Sequence, residues 1–482
     1  MVENKFPGRE NSGERHGRLG RTIIESGILT LIVLSPLPAA STDNWAILII
    51  ELAAVALTVV YFLLEHPPQI NAKLAERLGR LKYGLAVLFL WIGVQLLPLP
   101  KFFAGILSPR TIALHQQYSP RFADLKFFSL SLVRFQTLGE ALELMSYTLI
   151  AFLVVKTITH RRQIQRMMTV IVAMGLFEAL YGIFELYRKN PRVLFYKKVF
   201  NLDSATGTFI NRNHFSGYLE MIIPLAVGLA IYRLDFFGRP GKTWRDRLSA
   251  WTGKRAALIV LATAALVIMS LGIVLSNSRS GVFLLVLTFV IGLELTAFHF
   301  SRVRSRQVWI RHFLMAAFII ITVLALYIGI DAMLGRFTLD NLLQEGRPRM
   351  WGNVLTIIRD FPLFGTGLGT FASVYPVYAT VKFEGMVLVH AHNDYLEYLS
   401  ELGLVGFLLL AGTVLYIVMD SFLTWSKRRN PEIKGLAMGG IISVFIMLIH
   451  SLTDFNLHIP ANMLLFSVVL ALTYTTVYHR KS

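Results

Sequence analysis

The chain of 482 residues contains no cysteine, which excludes disulfides, thiol nucleophiles and thiolate metal ligands together. It is also short of charge. Asp, Glu, Lys and Arg make up 16% of the residues against 55% hydrophobic ones, and a mean hydropathy of +0.57 leaves too little polar surface to coat a soluble globule. Acidic residues are the scarcer sign: 29 Asp and Glu face 47 Lys and Arg, a net charge of +18. Most of these basic residues sit in short segments between apolar runs, which excludes a nucleic-acid-binding surface. Internal repeats are missing, and so is a small-residue cleavage site after the basic stretch 1–21, which reads as a cytoplasmic lead-in to a first span with no removable signal peptide.

What is present is a succession of apolar stretches. Crossing a hydrocarbon core of roughly 30 Å takes about 20 apolar residues in a helix. Runs of that kind lie near 22–40, 45–64, 83–99, 139–157, 164–187, 215–233, 256–276, 281–300, 309–330, 396–424, 434–451 and 460–478. They predict an all-α polytopic membrane protein with about 12 transmembrane helices. Pro36 and Pro38 break the first run, and the third is short. Lys and Arg accumulate in cytoplasmic loops; here they concentrate in the N-tail, 65–82, 156–166, 233–255, 301–311, 425–434 and the C-tail, every second connection along the chain. Both termini are therefore expected in the cytoplasm. The order is a cytoplasmic tail at 1–21, spans one to nine at 22–330, a long outer loop at 331–395, and spans ten to twelve with a short tail at 396–482.

So long a loop is uncommon unless it is functional or has structure of its own. Within it, RMWGNVLTIIRD at 349–360 puts Met350, Val354, Ile357 and Ile358 on one side at helical spacing, the pattern of an interfacial helix lying on the outer leaflet. The outer side holds four polar clusters: TGTFINRNHFSGY at 206–218, SNSRSG at 276–281, EGRPRMW at 345–351 and VHAHNDYLEYLSELGLVG at 389–406. Arg212, Arg279, Arg347 and Arg349 in these clusters run against the charge bias. Guanidinium groups bind phosphate oxygens in a bidentate fork and stay charged at physiological pH, so an anion on the outer face would account for them. The alternative is snorkelling to headgroups or pairing with Asp340, Glu345 or Asp360. Arg279 is the firmest candidate, in a short turn between two apolar spans where a bare charge is costly.

His392 precedes Asn393 and Asp394, either of which suits the cap of the tenth span. An imidazole fixed there is placed to take a proton from an attacking sugar hydroxyl, with Asp394 or Glu397 expected to orient the ring. The pair His390 and His392 also suggests a metal site completed by His214 or His458, but no acidic triad or cysteine completes the set, and the reading adopted is no metal. Asp454 and His458, in SLTDFNLHIPAN, line the same cavity or close a loop. GTGLGT at 365–370 resembles a phosphate-binding glycine loop, but it lacks the spacing and follows no strand, so it reads as a flexible turn. Glu178 and Glu185 share a face of the fifth span and read as interhelical hydrogen-bonding groups.

The stretch HAHNDYLEYLSELGLVGFLLL resembles the His-Asn-x-x-Leu-x-x-x-x-Glu-x-Gly-x-x-Gly signature of the bacterial O-antigen ligase and polymerase superfamily. GTFINRNHF at 207–215, SRSG at 278–281 and FPLFGTGLGTF at 361–371 are similar to that family in the same order, and the likeness spans 205–465. The resemblance implies a GT-C-like inner-membrane glycosyltransferase with a long periplasmic loop and a periplasmic active site. Such an enzyme takes a glycan from undecaprenyl diphosphate, without metal or cofactor, and inverts the anomeric centre. Ligases pass the glycan to a sugar of the lipid A core, and polymerases pass it to a second lipid-linked glycan. His392 matches the family's catalytic histidine and Arg279 its diphosphate-binding arginine, while Arg212 and Arg347 or Arg349 match more loosely. Asn393, Asp394, His390, His214, Asn213, Asp454 and His458 are expected around them as supporting or acceptor-side groups.

Two other readings stay open. A twelve-span secondary transporter would explain the long basic loop at 233–255, although transporter sites lie near the midplane and these polar residues cluster at span ends. A protein O-oligosaccharyltransferase of the same superfamily would share donor and catalysis and carry a larger acceptor element.

Overall fold

The computed structural model describes residues 12–64, 72–188, 191–233, 254–299, 311–312, 314–320, 322–323, 347–380 and 388–479. Long helices dominate: α1 (Ser12–Leu34), α2 (Asn44–Leu64), α3 (Ala72–Leu96), α6 (Arg134–Thr157), α7 (Arg161–Leu186), α8 (Arg212–Arg233), α9 (Lys254–Leu275), α10 (Arg279–His299), α13 (Asp394–Ser426), α14 (Pro431–His450) and α15 (Pro460–Tyr478). Shorter helices lie between them, α4 (Lys101–Leu107), α5 (Pro109–Tyr118), α11 (Arg347–Asp360) and α12 (Phe371–Tyr378). Two antiparallel pairs, Leu99–Pro100 with Phe127–Phe128 and Arg192–Val193 with Tyr196–Lys197, pin connecting segments. Eight helices among the described residues are long and apolar enough to cross a membrane: α2, α6, α7, α8, α10, α13, α14 and α15. The protein is an all-α polytopic membrane protein.

The sequence-predicted spans fall on these helices with informative offsets. The first run stops at Leu34, ahead of Pro36 and Pro38, because proline removes a donor and clashes with the preceding turn. α1 and α3 extend beyond their apolar runs at the N-terminal end, where Arg18, Arg21, Lys73, Arg77, Arg80 and Lys82 lie. Half of the ninth run, 309–330, lies outside the described residues, as do most of 233–255 and residues 331–346 of the long loop.

The centre of the bundle is α8, α14 and α15, the most buried of the spans. α8 and α14 meet through small residues: a Cβ on Gly439 would stand 2.4 Å from Pro224 O, and one on Gly228 would stand 3.0 Å from Gly435 O. Gly435 and Gly439 form a small-xxx-small stripe, which lets two backbones approach where lipid supplies no hydrophobic drive. Pro224 interrupts the ladder of α8, and Ser443 Oγ donates to Met221 O at 2.6 Å in the turn before it.

α13 is two helices joined at Gly403, whose φ of 65° is left-handed. The break is filled by the 361–371 segment. Gly365, Gly367 and Gly369 all have positive φ. Thr366 N donates to Ser400 O (3.0 Å), Gly367 N to Glu401 O (2.9 Å) and Leu404 N to Pro362 O (2.8 Å). From α3, Gln95 Nε2 bridges Phe364 O and Glu401 O. The glycine run expected as a flexible turn is thus a packed wedge that satisfies the carbonyls a broken helix would leave bare.

α11 forms as its spacing predicts, with Met350, Val354 and Ile357 buried and Ile358 at their margin. That apolar side packs against Leu114, Phe361, Phe371, Val374 and Tyr375. The face expected to lie on lipid is therefore covered by protein.

Candidate active site

Four helix N-termini converge on the loop 451–459, between α14 and α15. From α8, Asn213 Nδ2 donates to Asp454 Oδ2 at 2.6 Å. At the start of α10, Ser280 Oγ lies 3.0 Å from Thr453 Oγ1. At the start of α11, Arg347 Nη1 donates to Thr453 O at 2.7 Å, with Nη2 3.7 Å from Asp454 Oδ2. At the start of α13, Asp394 N donates to Ser451 O at 2.9 Å. Each terminus brings the positive end of its dipole, so the place is predisposed to negative charge.

His392 sits at the middle of this arrangement in the left-handed region, φ 48°, a conformation that costs about 1–3 kcal/mol and persists only where neighbours over-determine it. They do so here. Trp351 Nε1 donates to Ala391 O (2.9 Å), Ala391 N to Glu397 Oε2 (2.7 Å), and Leu396 N to the capping Asn393 Oδ1 (3.0 Å). Asn393 Nδ2 in turn ties the turn to Leu452 O at 2.9 Å.

The His392 ring is oriented by Asp454, at 3.1 Å from Nδ1 to Oδ1. An ionised carboxylate only accepts, so Nδ1 carries the proton and Nε2 offers its lone pair. This corrects the expectation that Asp394 or Glu397 would orient it. Asp394 instead accepts from His458 Nδ1 (2.6 Å) and Leu457 N (3.1 Å), and Glu397 accepts from His390 Nδ1 (2.7 Å). Burial alone would raise the Asp454 carboxyl, but the imidazoles of His214 and His392 outweigh it and hold Asp454 well below the usual carboxylate range. Burial likewise opposes charge on His458, yet Glu397 and Asp394 push its pKa up to about 10. His392 keeps a quarter of its side chain exposed (26%), whereas Asp454 is enclosed (1%).

Phe455 organises the imidazoles. Its ring lies edge-on to His214 (4.4 Å between centroids) and His392 (4.7 Å) and stacks on His390 (4.3 Å). Sequence reasoning passed over Phe455 and Thr453, although both lie in the SLTDFNLHIPAN stretch it singled out, because neither is ionisable. It also passed over Trp351, which locks the backbone before His392. Its Glu178 and Glu185 bind connecting segments: Glu178 accepts from Thr208 N and Oγ1, both 2.8 Å, and Glu185 from Arg188 and Arg192 N.

The arginines divide. Arg347 reaches the loop directly. Arg212 Nη1 is 3.5 Å from Ser204 Oγ, and the same hydroxyl accepts from Asn277 Nδ2 at 3.3 Å, so Ser204 links Arg212 to the turn that carries Arg279. Arg279, half-buried, opens α10 beside Ser280. Arg349 is exposed two residues beyond Arg347, a separation that points the two to different sides of a helix. Asp360, a candidate partner for these arginines, is instead taken by Arg110 at 2.9 Å; Asp340 and Glu345 lie outside the described residues.

For a metal, the side chains among the described residues that offer atoms within 4.8 Å of one another are His390, Glu397 and His458, a different set from His390 with His392. His390 Nδ1 and Glu397 Oε1 stand at 2.7 Å, closer than the roughly 3.3 Å between ligands on a tetrahedral zinc. The pair is spaced as a hydrogen bond.

No curated protein matches the chain. Residues 264–411, which hold Arg279, Arg347 and His392 but not Asp454, match the family model described as O-antigen ligase. Over that stretch, under a third of the chain, the protein is similar to the O-antigen ligase family, in agreement with the resemblance read from its motifs.

Proposed function

We propose that the protein is a glycosyltransferase of the inner membrane that moves a glycan from undecaprenyl diphosphate to an acceptor sugar on the periplasmic face. The acceptor is the lipid A core, as in O-antigen ligases, and polymerisation onto a second lipid-linked glycan is the alternative. The observation that carries this reading is the His392–Asp454 contact at 3.1 Å, with Arg347 on the neighbouring carbonyl. It joins a base to an anion-binding end of the bundle.

The acceptor hydroxyl gives its proton to His392 Nε2 as its oxygen bonds to the anomeric carbon. The bond from that carbon to the diphosphate breaks on the opposite face, and configuration inverts. Asp454 holds the tautomer and stabilises the imidazolium that forms. Negative charge grows on the departing diphosphate, where Arg279, Arg347 and Arg212 meet it with no magnesium required. In this reading the segment 331–395 is the periplasmic loop, the membrane domain has twelve spans of GT-C type, and both termini are cytoplasmic.

The test is purified protein in vesicles, given lipid-linked glycan and either lipid A core or further donor. Sugar appearing on the core supports ligation, and growth of the lipid-linked chain supports polymerisation. Uptake of glycan with no new glycosidic bond contradicts both.

A further inference from the structure

The end of the bundle away from His392 holds a second basic cavity. α14 sets the separation: Glu432 at its start pairs with Arg161, whereas Ser451 just past its end accepts from Asp394 N. Its twenty residues rise about 30 Å. Between α1 and α7 lies a hollow of about 630 Å³, lined by Arg18 and Arg21 from one helix and Arg161, Arg162 and Arg166 from the other. Glu25 is the carboxylate in that lining, and it is buried. It accepts from Arg166 Nη2 at 2.8 Å and Gln163 Nε2 at 2.9 Å, which fixes Arg166 against the wall.

Charge placed for topology alone can lie anywhere in a loop. Here five guanidinium groups from two helices surround one concavity, in which Glu25 holds Arg166 and Glu432 holds Arg161. The N-terminus of α7 opens at the same place and adds its dipole. Leu19 and Ile23 are exposed on α1 beside Arg18 and Thr22, so an apolar strip runs up to the basic rim.

From this arrangement we infer that the cavity binds a phosphate group, supplied by an anionic phospholipid or by a soluble phosphate. Guanidinium forks match phosphate oxygens, and basic pockets between spans take up anionic headgroups. The site is separate from the proposed diphosphate clamp, and its occupancy does not depend on glycan transfer.

The full-length protein is placed in nanodiscs of phosphatidylcholine, with or without phosphatidylglycerol. Co-purifying lipid is read by mass spectrometry, and thermal unfolding is read with and without inorganic phosphate. The wild type is expected to retain phosphatidylglycerol preferentially or to unfold at higher temperature with phosphate. Arg18→Gln with Arg162→Gln, neither of which serves Glu25, should weaken that binding about thirty-fold, whereas the two Arg→Lys changes should preserve much of it. Lipid preference without a phosphate effect assigns the lipid source, and the reverse assigns the soluble one. A wild type that shows neither, or a double Gln variant that binds as the wild type does, overturns the inference.

Discussion

Replacing Asp454 with asparagine separates orientation of His392 from simple packing. Asp454 Oδ1 accepts from His392 Nδ1 (3.1 Å) and Phe455 N (2.9 Å), and Oδ2 accepts from Asn213 Nδ2 (2.6 Å). An asparagine amide has one acceptor oxygen. If that oxygen stays toward His392, the new NH₂ confronts the amide of Asn213, which can flip to answer it. If the NH₂ turns toward His392, Phe455 N loses its partner and the ring is driven to the tautomer with Nε2 protonated. In both cases the imidazolium loses its counter-charge. The expected fall in kcat is about 10³–10⁴-fold, or roughly 4–5.5 kcal/mol of transition-state stabilisation, with donor KM within a few-fold. The assay is transfer of labelled glycan in proteoliposomes, with kcat and KM resolved. Asp394→Asn is the control, since Asp394 serves His458 rather than His392, and it should cost less than about ten-fold in kcat. The reasoning fails if Asp454→Asn stays within about five-fold of wild type, or if Asp394→Asn is the more damaging change.

Arg279→Gln and Arg347→Gln should each reduce kcat/KM for the lipid-linked donor by about 10²-fold, while Arg349→Gln, exposed and turned elsewhere, should stay within about three-fold; equal losses at Arg347 and Arg349 would contradict the division. Gly365→Ala should destabilise the protein by about 3 kcal/mol or more, because its φ is 68° and a Cβ would stand 2.1 Å from Glu401 O; unfolding in detergent reads it. His458, raised to about 10 in the fold, contributes stability that is complete below its unfolded pKa of about 6.5 and lost as pH rises toward the folded value. Unfolding temperature should fall across that window in the wild type and stay flatter in His458→Gln.

The membrane class and most spans were legible because apolar run length is a one-dimensional property. The signature around His392 marked the turn that meets the loop 451–459. The partner of His392 was not legible from local spacing. Asp394 and Glu397 are its near neighbours in sequence, but as first-turn residues of α13 they point back toward His458 and His390, and the carboxylate that meets His392 comes from 62 residues on. The glycine run at 365–369 was misread for a related reason: its positive-φ residues serve a break at Gly403 that shows in the sequence only as another glycine. Two arginines spaced by two residues, Arg347 and Arg349, could be told apart only once α11 gave them different sides.

In the proposed reaction His392 is the base. The most direct measurement is single-turnover transfer from lipid-linked glycan to acceptor by purified His392→Ala in proteoliposomes, with donor binding measured alongside. A loss of about 10²–10⁴-fold in rate with donor binding unchanged is the predicted result; transfer at the wild-type rate would contradict it.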